Sequence, residues 1–238
     1  MRASLRNYAF VASTAGNPLL CYRMNRVADR FSGGLATPHP TEYTIAAWLK
    51  PGDLTYWQTI TVRSAGAPLS SYSHELQQYG PQYWQAYTWD GATHYVYGTT
   101  PPSLTTWHHV ATSCKNGDYL RLYVNGKEEG VKNAVGTLWN GGNDYWFGAA
   151  TGMTQYFDGY AAEWAIWSKQ LTADQIAALA VKRIGIPWTI EQASLILYCP
   201  MHDAADGVTK TTAWAESVGS VTQSLGGNKA VGKRFPTW

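Results

Sequence analysis

The chain has 238 residues, of which 14% are charged and 14% aromatic, and its formal net charge is +2. This length allows one large β domain with a full core. The scattered basic residues exclude the basic stripe of a nucleic-acid-binding surface, and no apolar run approaches the ~18–20 residues that would insert into a membrane. The apolar stretch Tyr8–Ala12 is shorter than a signal-peptide core of about 7–15 residues, so we expect either that a signal peptide has been removed or that none was used.

The first half of the chain predicts short strands separated by turn residues. Strands are expected at Asn7–Ala12, Leu19–Tyr22, Glu42–Leu49, Trp57–Arg63, Gln82–Trp89 and His94–Tyr97. The segments Arg23–Pro40 and Ser64–Ser73 are rich in Gly, Pro and Ser and are interpreted as loops.

The segment from Trp107 to Gly126 predicts a β-hairpin. Its second strand places three aliphatic side chains on one face, at Leu120, Leu122 and Val124. In its first strand the same alternation pairs Val110 with Cys114 on one face and Trp107 with Ala111 on the other. Asn-Gly occurs at Asn116-Gly117 and Asn125-Gly126, and both residue types tolerate the positive φ of a tight turn.

The rest of the chain predicts a loop after Gly126, three strands, one helix and a tail. The strands are expected at Asp144–Gly148, Phe157–Trp167 and Leu195–Cys199. Thr172 and Gln175 have the spacing of a capping box, which predicts a short helix near residues 173–183 that Gly185 ends. Residues 208–238 have few large aliphatic side chains and are interpreted as an arm or extended tail.

Three blocks of the sequence resemble, in order, the motifs of laminin-G-like domains of the concanavalin A-like lectin/glucanase superfamily. They are Tyr43–Pro51, Trp107–Gly126 and Phe157–Trp167, the last followed by Leu171-Thr172 and the helix. The resemblance implies an all-β fold, a two-sheet antiparallel jelly-roll sandwich with one short helix. We expect a single domain over 1–238, with a recognisable core at about 43–180 and irregular extensions at 1–40 and 200–238.

Motifs for catalysis are not found. Glucanase relatives place their acids as Glu-x-Asp-x-x-Glu, and no Glu of this chain is followed two positions later by Asp. Glu163 is isolated and is expected at the surface, like Glu128-Glu129. His108 and His109 are adjacent, so they diverge on a strand and cannot serve one site. We therefore predict that the protein is not an enzyme.

Calcium and the cysteines are separate questions. The resemblance implies that calcium can bind through loop oxygens, and Asn143 and Asp144 have suitable side chains, although Asn and Asp are also ordinary turn residues. No other cofactor is predicted. The three cysteines have no metal-binding spacing and are interpreted as buried free thiols, with a Cys21–Cys199 disulfide as the alternative.

Aromatic side chains are the strongest functional signal. The strand over Gln82–Trp89 carries rings on both faces, so some rings are expected to meet a partner outside the core. Tyr and Trp fill cores, stack on sugar rings and dominate protein interfaces. The candidate binding residues are Tyr83, Trp84, Tyr87, Trp89, Tyr95, Tyr97, Trp139 and Trp146.

Two functions are consistent with these residues. The first is a structural and interaction module on a larger assembly, with other protein subunits or copies of itself as partners. By analogy with where such domains occur, its most concrete form is a phage virion surface protein: a decoration, fibre or receptor-binding protein. The second is a carbohydrate-binding, lectin-like module of a secreted or cell-surface protein, with glycans as partners. A divergent glycoside hydrolase is the third and weakest interpretation. The expected location is therefore a virion surface or the extracellular space.

Overall fold

The computed structural model describes residues 22–25, 30–34, 40–64, 72–132, 135–138, 144–149, 155–181, 186–199, 201 and 220–224. Within them the chain forms two seven-stranded antiparallel sheets. Sheet I contains β1 (Tyr22–Asn25), β3 (Glu42–Pro51), β8 (His108–Lys115), β9 (Leu120–Val124), β10 (Lys127–Lys132), β12 (Asp158–Trp167) and β13 (Leu195–Cys199). Sheet II contains β2 (Arg30–Gly34), β4 (Trp57–Ser64), β5 (Tyr72–Tyr79), β6 (Tyr83–Trp89), β7 (Thr93–Tyr97), β11 (Asp144–Phe147) and β14 (Ser220–Ser224).

The strand order is that of a jelly-roll sandwich. Sheet I runs β1-β12-β3-β8-β9-β10, with β13 also paired to β12. Sheet II runs β14-β2-β11-β4-β5-β6-β7. The helices are α1 (Ala173–Leu179), α2 (Ile186–Thr189) and a 3₁₀ turn at Gln192–Ser194. The predicted fold class, an all-β two-sheet sandwich with a short helix near residue 173, is confirmed.

The core lies between the inner faces of the two sheets. The aliphatic face of the central hairpin, Leu120, Leu122 and Val124, is buried there together with Val110 and Cys114, as the alternation predicts. Phe147 of sheet II meets Trp164 of sheet I with ring centroids 5.2 Å apart. Burying a large apolar side chain stabilises the fold by about 1.5–3 kcal/mol, so this layer holds the sheets together.

Helix α1 covers part of the outer face of sheet I. Its predicted capping box is present: Gln175 N donates to Thr172 Oγ1 (3.2 Å), and Thr172 N donates to Gln175 Oε1 (2.9 Å). Ile176 and Leu179 are buried against this face. The helix ends at Leu179, not near residue 183 as predicted, because its apolar stripe ends there and Val181 is exposed.

Four segments that the sequence does not mark as strands pair with neighbouring strands. The interpreted loop at 23–40 contains β2 as well as residues 23–25 of β1, which shares only Tyr22 with the predicted strand. β5 begins inside the interpreted loop at 64–73, the segment after Gly126 is β10, and the interpreted tail contains β14. Sequences such as Lys127–Lys132 and Ser220–Ser224 lack apolar alternation, so their strand structure comes from pairing with β9 and β2. The predicted strand at Asn7–Ala12 lies outside the described residues.

The contact between α1 and the β9–β10 turn can be tested with two glycines. Gly126 has φ +79°, and a Cβ added there would lie 3.0 Å from the Cα of Ala177 and the Cβ of Ala180. Gly117, at φ +74°, has open space around the same position. We expect Gly126→Ala to lower the free energy of unfolding by about 2–4 kcal/mol, from backbone strain and overpacking. Gly117→Ala should cost about 1–2 kcal/mol, from strain alone. Urea denaturation measures both, and equal losses would show that the helix does not pack on the turn.

Candidate functional site

The alternation of β6 and β7 aims one set of rings at the core and another set away from it. Trp84, Ala86 and Val96 lie in the core between the sheets. Tyr87 pairs with Tyr95 in the ladder between these strands, on the opposite side. The same outer side of sheet II therefore carries every second residue of both strands, and most of these residues are tyrosines.

Six rings form a continuous series across the outer side of β4–β7, which we call the aromatic face: Trp57, Tyr79, Tyr83, Tyr97, Tyr95 and Tyr87. The separations between consecutive ring centroids, in that order, are 5.6, 5.1, 4.8, 6.2 and 5.2 Å. Four of the rings are well exposed: Trp57 (40%), Tyr79 (37%), Tyr95 (39%) and Tyr97 (50%). The aromatic face is therefore a surface that a ligand can reach.

A buried polar row runs between these rings and consists of Thr59, Glu75, Gln77 and Gln85. Thr59 Oγ1 donates to Glu75 Oε1 (2.9 Å), and Gln85 Nε2 donates to Gln77 Oε1 (2.7 Å). The register places Gln77, Gln85 and Tyr97 in one cross-strand row. It places Glu75, Tyr87 and Tyr95 in the next. These hydrogen bonds therefore fix the positions of the polar side chains that lie between the rings.

Burial sets the protonation of the side chains on this surface. It raises the pKa of Glu75 to about 7, against the opposing effect of hydrogen bonds from Gln77 and Thr59. Burial, with smaller effects from Tyr97 and Glu75, also raises the pKa of Tyr95. The pKa of Tyr83 is raised by burial and then by Tyr79 and Tyr97. The two hydroxyls stay protonated at neutral pH and can both donate and accept hydrogen bonds.

The structure brings together Tyr83, Tyr87, Tyr95 and Tyr97 among the predicted binding residues. Two others are half-buried and lie outside the series of six rings. Trp89 is at the end of β6. Trp146 lies between the core residues Tyr145 and Phe147 of β11, so it faces the outer side of sheet II, where it pairs with Val62 beside Glu75. Trp84 is a correction, because it is fully buried in the core, 5.5 Å from the ring of His108, and has no surface to offer a ligand. Trp139 lies outside the described residues.

Sequence reasoning missed the part of the site that β4 and β5 supply. Trp57, Tyr79 and Glu75 reach the aromatic face only because β5 pairs between β4 and β6. The alternation of β5 is hard to detect, since two of its inward positions are His74 and Gln78. His74 packs inside, with its ring centroid 3.8 Å from that of Tyr43. A polar inward face hides the period-two pattern that marks a strand.

The other residues considered for catalysis, Glu163, His108 and His109, are buried and pack against neighbouring side chains. Glu163 is buried rather than at the surface as expected, since it lies at a bulge of β12 and its Oε2 accepts from the Tyr198 hydroxyl (2.8 Å). His108 packs against Trp84 and His109 against Trp48, so the two histidines diverge as predicted. Burial lowers the pKa of His109 to about 3, which keeps this ring neutral.

The described residues do not establish a metal site. They contain no group of three or more His, Cys, Asp or Glu side chains placed to hold an ion. Asn143 and the side chain of Asp144 lie outside them, so calcium stays a prediction.

Cys114 is a buried free thiol whose pKa burial raises to about 12, and Cys199 is buried in β13. The Cys21 half of the alternative disulfide is outside the described residues. Among the described helices, none is both long and apolar enough to cross a membrane.

The protein family of this chain follows from a comparison with known families. A family model described as the concanavalin A-like lectin/glucanases superfamily matches residues 30–177. The chain belongs to this superfamily. The predicted resemblance is therefore confirmed. Comparison of the sequence with curated proteins gives no significant match.

Solved structures share the fold at low sequence identity. A Bacteroides ovatus protein assigned as carbohydrate-binding is 14% identical at a TM-score of 0.65, over 93% of this chain and 61% of its own. A heptameric SAP-like pentraxin from Limulus polyphemus is 14% identical with a TM-score of 0.64, over 95% of this chain and 99% of its own. A CBM40 module of a Ruminococcus gnavus sialidase, solved with α2,3-sialyllactose, is 12% identical with a TM-score of 0.56, over 69% of this chain and 100% of its own. The chain thus spans less than two thirds of the Bacteroides protein, and at this identity the likeness shows the fold alone.

The raised pKa of Glu75 predicts a pH-dependent stability. Between its ordinary value of 4.5 and about 7, the folded state retains the proton that the unfolded state releases. The free energy of unfolding therefore falls as pH rises through this window, by about 3 kcal/mol at most. Glu75→Gln should remove this decrease. The difference in free energy of unfolding between Glu75→Gln and the wild type should therefore favour the variant more at pH 8 than at pH 4.5. The control is Glu128→Gln, a more exposed carboxylate on sheet I. Chemical denaturation at a series of pH values checks this, and parallel profiles for wild type and Glu75→Gln would contradict it.

Proposed function

We propose that the protein is a non-catalytic carbohydrate-binding module that binds its ligand on the aromatic face. The observation that carries the proposal is the series of six touching rings, four of them well exposed, on the outer side of sheet II. The C–H groups of a sugar pack on the flat faces of Tyr and Trp rings, and its hydroxyls need hydrogen-bond partners. Tyrosine supplies both in one side chain.

The size of the aromatic face fits an oligosaccharide. The rings extend from β4 to β7, which is three inter-strand spacings, or about 14 Å. A single sugar ring covers only part of that distance. We therefore expect affinity to increase with the number of sugar units until the face is covered.

The relatives support the class of function. The superfamily includes lectins, and two of the similar structures are the Bacteroides protein assigned as carbohydrate-binding and the sialidase CBM40 module solved with a sugar. An extracellular or cell-surface location is consistent with such a role. Continuous pairing from β14 through β7 also favours our proposal that the chain is one domain.

The outer side of β4–β7 favours binding over hydrolysis. Glycoside hydrolysis needs two carboxylates about 5–10 Å apart on either side of the scissile bond. Among the described side chains there, Glu75 is the one carboxyl group, and it is buried with its Oε1 accepting a hydrogen bond from Thr59. A lone, buried carboxyl can shape a binding surface but does not supply an acid and a base.

The second candidate, an interaction module of a larger assembly, draws on the same exposed rings, since Tyr and Trp are also enriched at protein interfaces. The heptameric pentraxin is an assembled relative in fold. A phage virion surface is the form of this candidate that the sequence analysis predicted, and the comparisons add no support for it.

Alanine variants of the aromatic face test carbohydrate binding. Tyr79→Ala and Tyr97→Ala should each weaken binding of an oligosaccharide at least tenfold, since loss of a central stacked ring costs about 1.4 kcal/mol or more. The matched control is Tyr119→Ala, whose ring is equally exposed (39%) but lies beside sheet I, against Arg121. Titration calorimetry with a panel of oligosaccharides gives the affinities. An equal loss in Tyr119→Ala, or binding to no member of the panel, would contradict the proposal.

The solution mass separates the two candidates. If the aromatic face binds glycans, we expect light scattering after size exclusion to give the same mass for the wild type and Tyr97→Arg, with and without calcium. If it is a subunit interface, the wild type forms a larger species that the charged variant breaks apart. That second result would favour the interaction module.

A further inference from the structure

The part of the chain that builds the aromatic face differs in charge from the rest. The complete chain has a formal net charge of +2. Between residues 53 and 97 there are three acidic residues, Asp53, Glu75 and Asp90, and a single arginine, Arg63. This region therefore has a negative balance within a positive protein.

The one arginine of this region faces the other way. Arg63 pairs with His74 and Tyr145 in sheet II, is 1% exposed, and lies with its guanidinium carbon 5.4 Å from the centroid of the Tyr145 ring. Its charge is on the inner side of the sheet. Described side chains on the outer side of β4–β7 include no lysine or arginine, and the sequence of the connecting segment 65–71 contains none either.

The carboxyl group among the described side chains on the outer side of β4–β7 is that of Glu75. It lies in the same cross-strand row as Tyr87 and Tyr95, so the rings that would hold a sugar also hold it close to this carboxyl. Burial raises the pKa of Tyr95, and smaller contributions from Tyr97 and Glu75 act in the same direction. A second anion brought to this surface meets repulsion from the ionised form of Glu75, and this repulsion is strongest at low ionic strength because salt screens exposed charges.

We propose that the aromatic face selects uncharged oligosaccharides and discriminates against sialylated and other acidic ones. Recognition of an acidic sugar is favoured by a guanidinium or ammonium group opposite its carboxylate. Among the described side chains of this surface, the ionisable acid or base other than tyrosine is the buried carboxyl of Glu75. The inference rests on the proposed function and assigns a ligand class to the same surface. It separates this chain from the sialidase CBM40 module, which was solved with a sialylated sugar.

The experiment uses matched pairs of ligands on the full chain. Lactose and longer neutral oligosaccharides are each titrated beside their singly sialylated counterparts, at pH 8 and low ionic strength. We expect the neutral member of each pair to bind at least fivefold more tightly. Equal or tighter binding of the sialylated members would overturn the selection while leaving carbohydrate binding intact. Binding of neither member of any pair would overturn both the selection and the proposed function.

Added charge at the surface gives an independent measurement. Thr93 is exposed on the outer side of β7, two residues from Tyr95. Thr93→Arg should increase affinity for the sialylated member by roughly two- to fivefold relative to the neutral member, as expected for an exposed ion pair. Val181→Arg makes the same change of charge at an exposed position after α1 and should leave the ratio unchanged. An unchanged ratio in Thr93→Arg, or an equal change in Val181→Arg, would overturn the role of surface charge in selection.

Discussion

The antiparallel register of β5, β6 and β7 is the constraint on which the candidate site depends. One cross-strand row, Leu76, Ala86 and Val96, lies in the core. The neighbouring row, Gln77, Gln85 and Tyr97, lies on the outer side. Because side chains alternate with a period of two, a slip of one residue would expose the core row and bury the tyrosines. The core therefore specifies the aromatic face: what holds sheet II against sheet I also decides which rings reach a ligand.

The interior of sheet II is unusually polar for a surface that packs against another sheet. Arg63 and His74 pack there against Tyr43 and Tyr145, with the His74 ring 3.8 Å from that of Tyr43. Burial lowers the pKa of Arg63 and raises that of Tyr145 to about 12, despite the opposing effect of the arginine on the tyrosine. Rings stacked on charged and polar groups replace aliphatic packing. Both sides of this sheet thus use aromatic side chains, one side for packing inside the protein and the other for contact outside it.

The fold alone does not determine which ligand binds; the side chains on the outer side of sheet II do. A jelly-roll sandwich in this superfamily is compatible with binding and with hydrolysis, so function must be argued from particular side chains. Three features of the outer side of sheet II bear on the ligand: rings that touch one another, a buried polar row between them, and the buried carboxyl of Glu75. These features favour a ligand that is flat on one side, rich in hydroxyls and uncharged. The outer side of sheet I, by contrast, is partly covered by α1 and by the apolar residues around Ile176.

Elements whose structure depends on neighbouring residues could be predicted from the sequence alone. The hairpin at 107–126 has alternation and two Asn-Gly turns, and α1 has its capping box, so neighbouring residues contain the whole signal. Three features follow from the packing of distant segments: Trp84 belongs to the core, β10 and β14 are strands, and β4 and β5 bring Trp57, Tyr79 and Glu75 beside the tyrosines of β6 and β7. The physical reason is that hydrogen bonds between distant segments form these ladders. A polar strand such as β14 acquires its conformation from the partner beside it and not from its own residues.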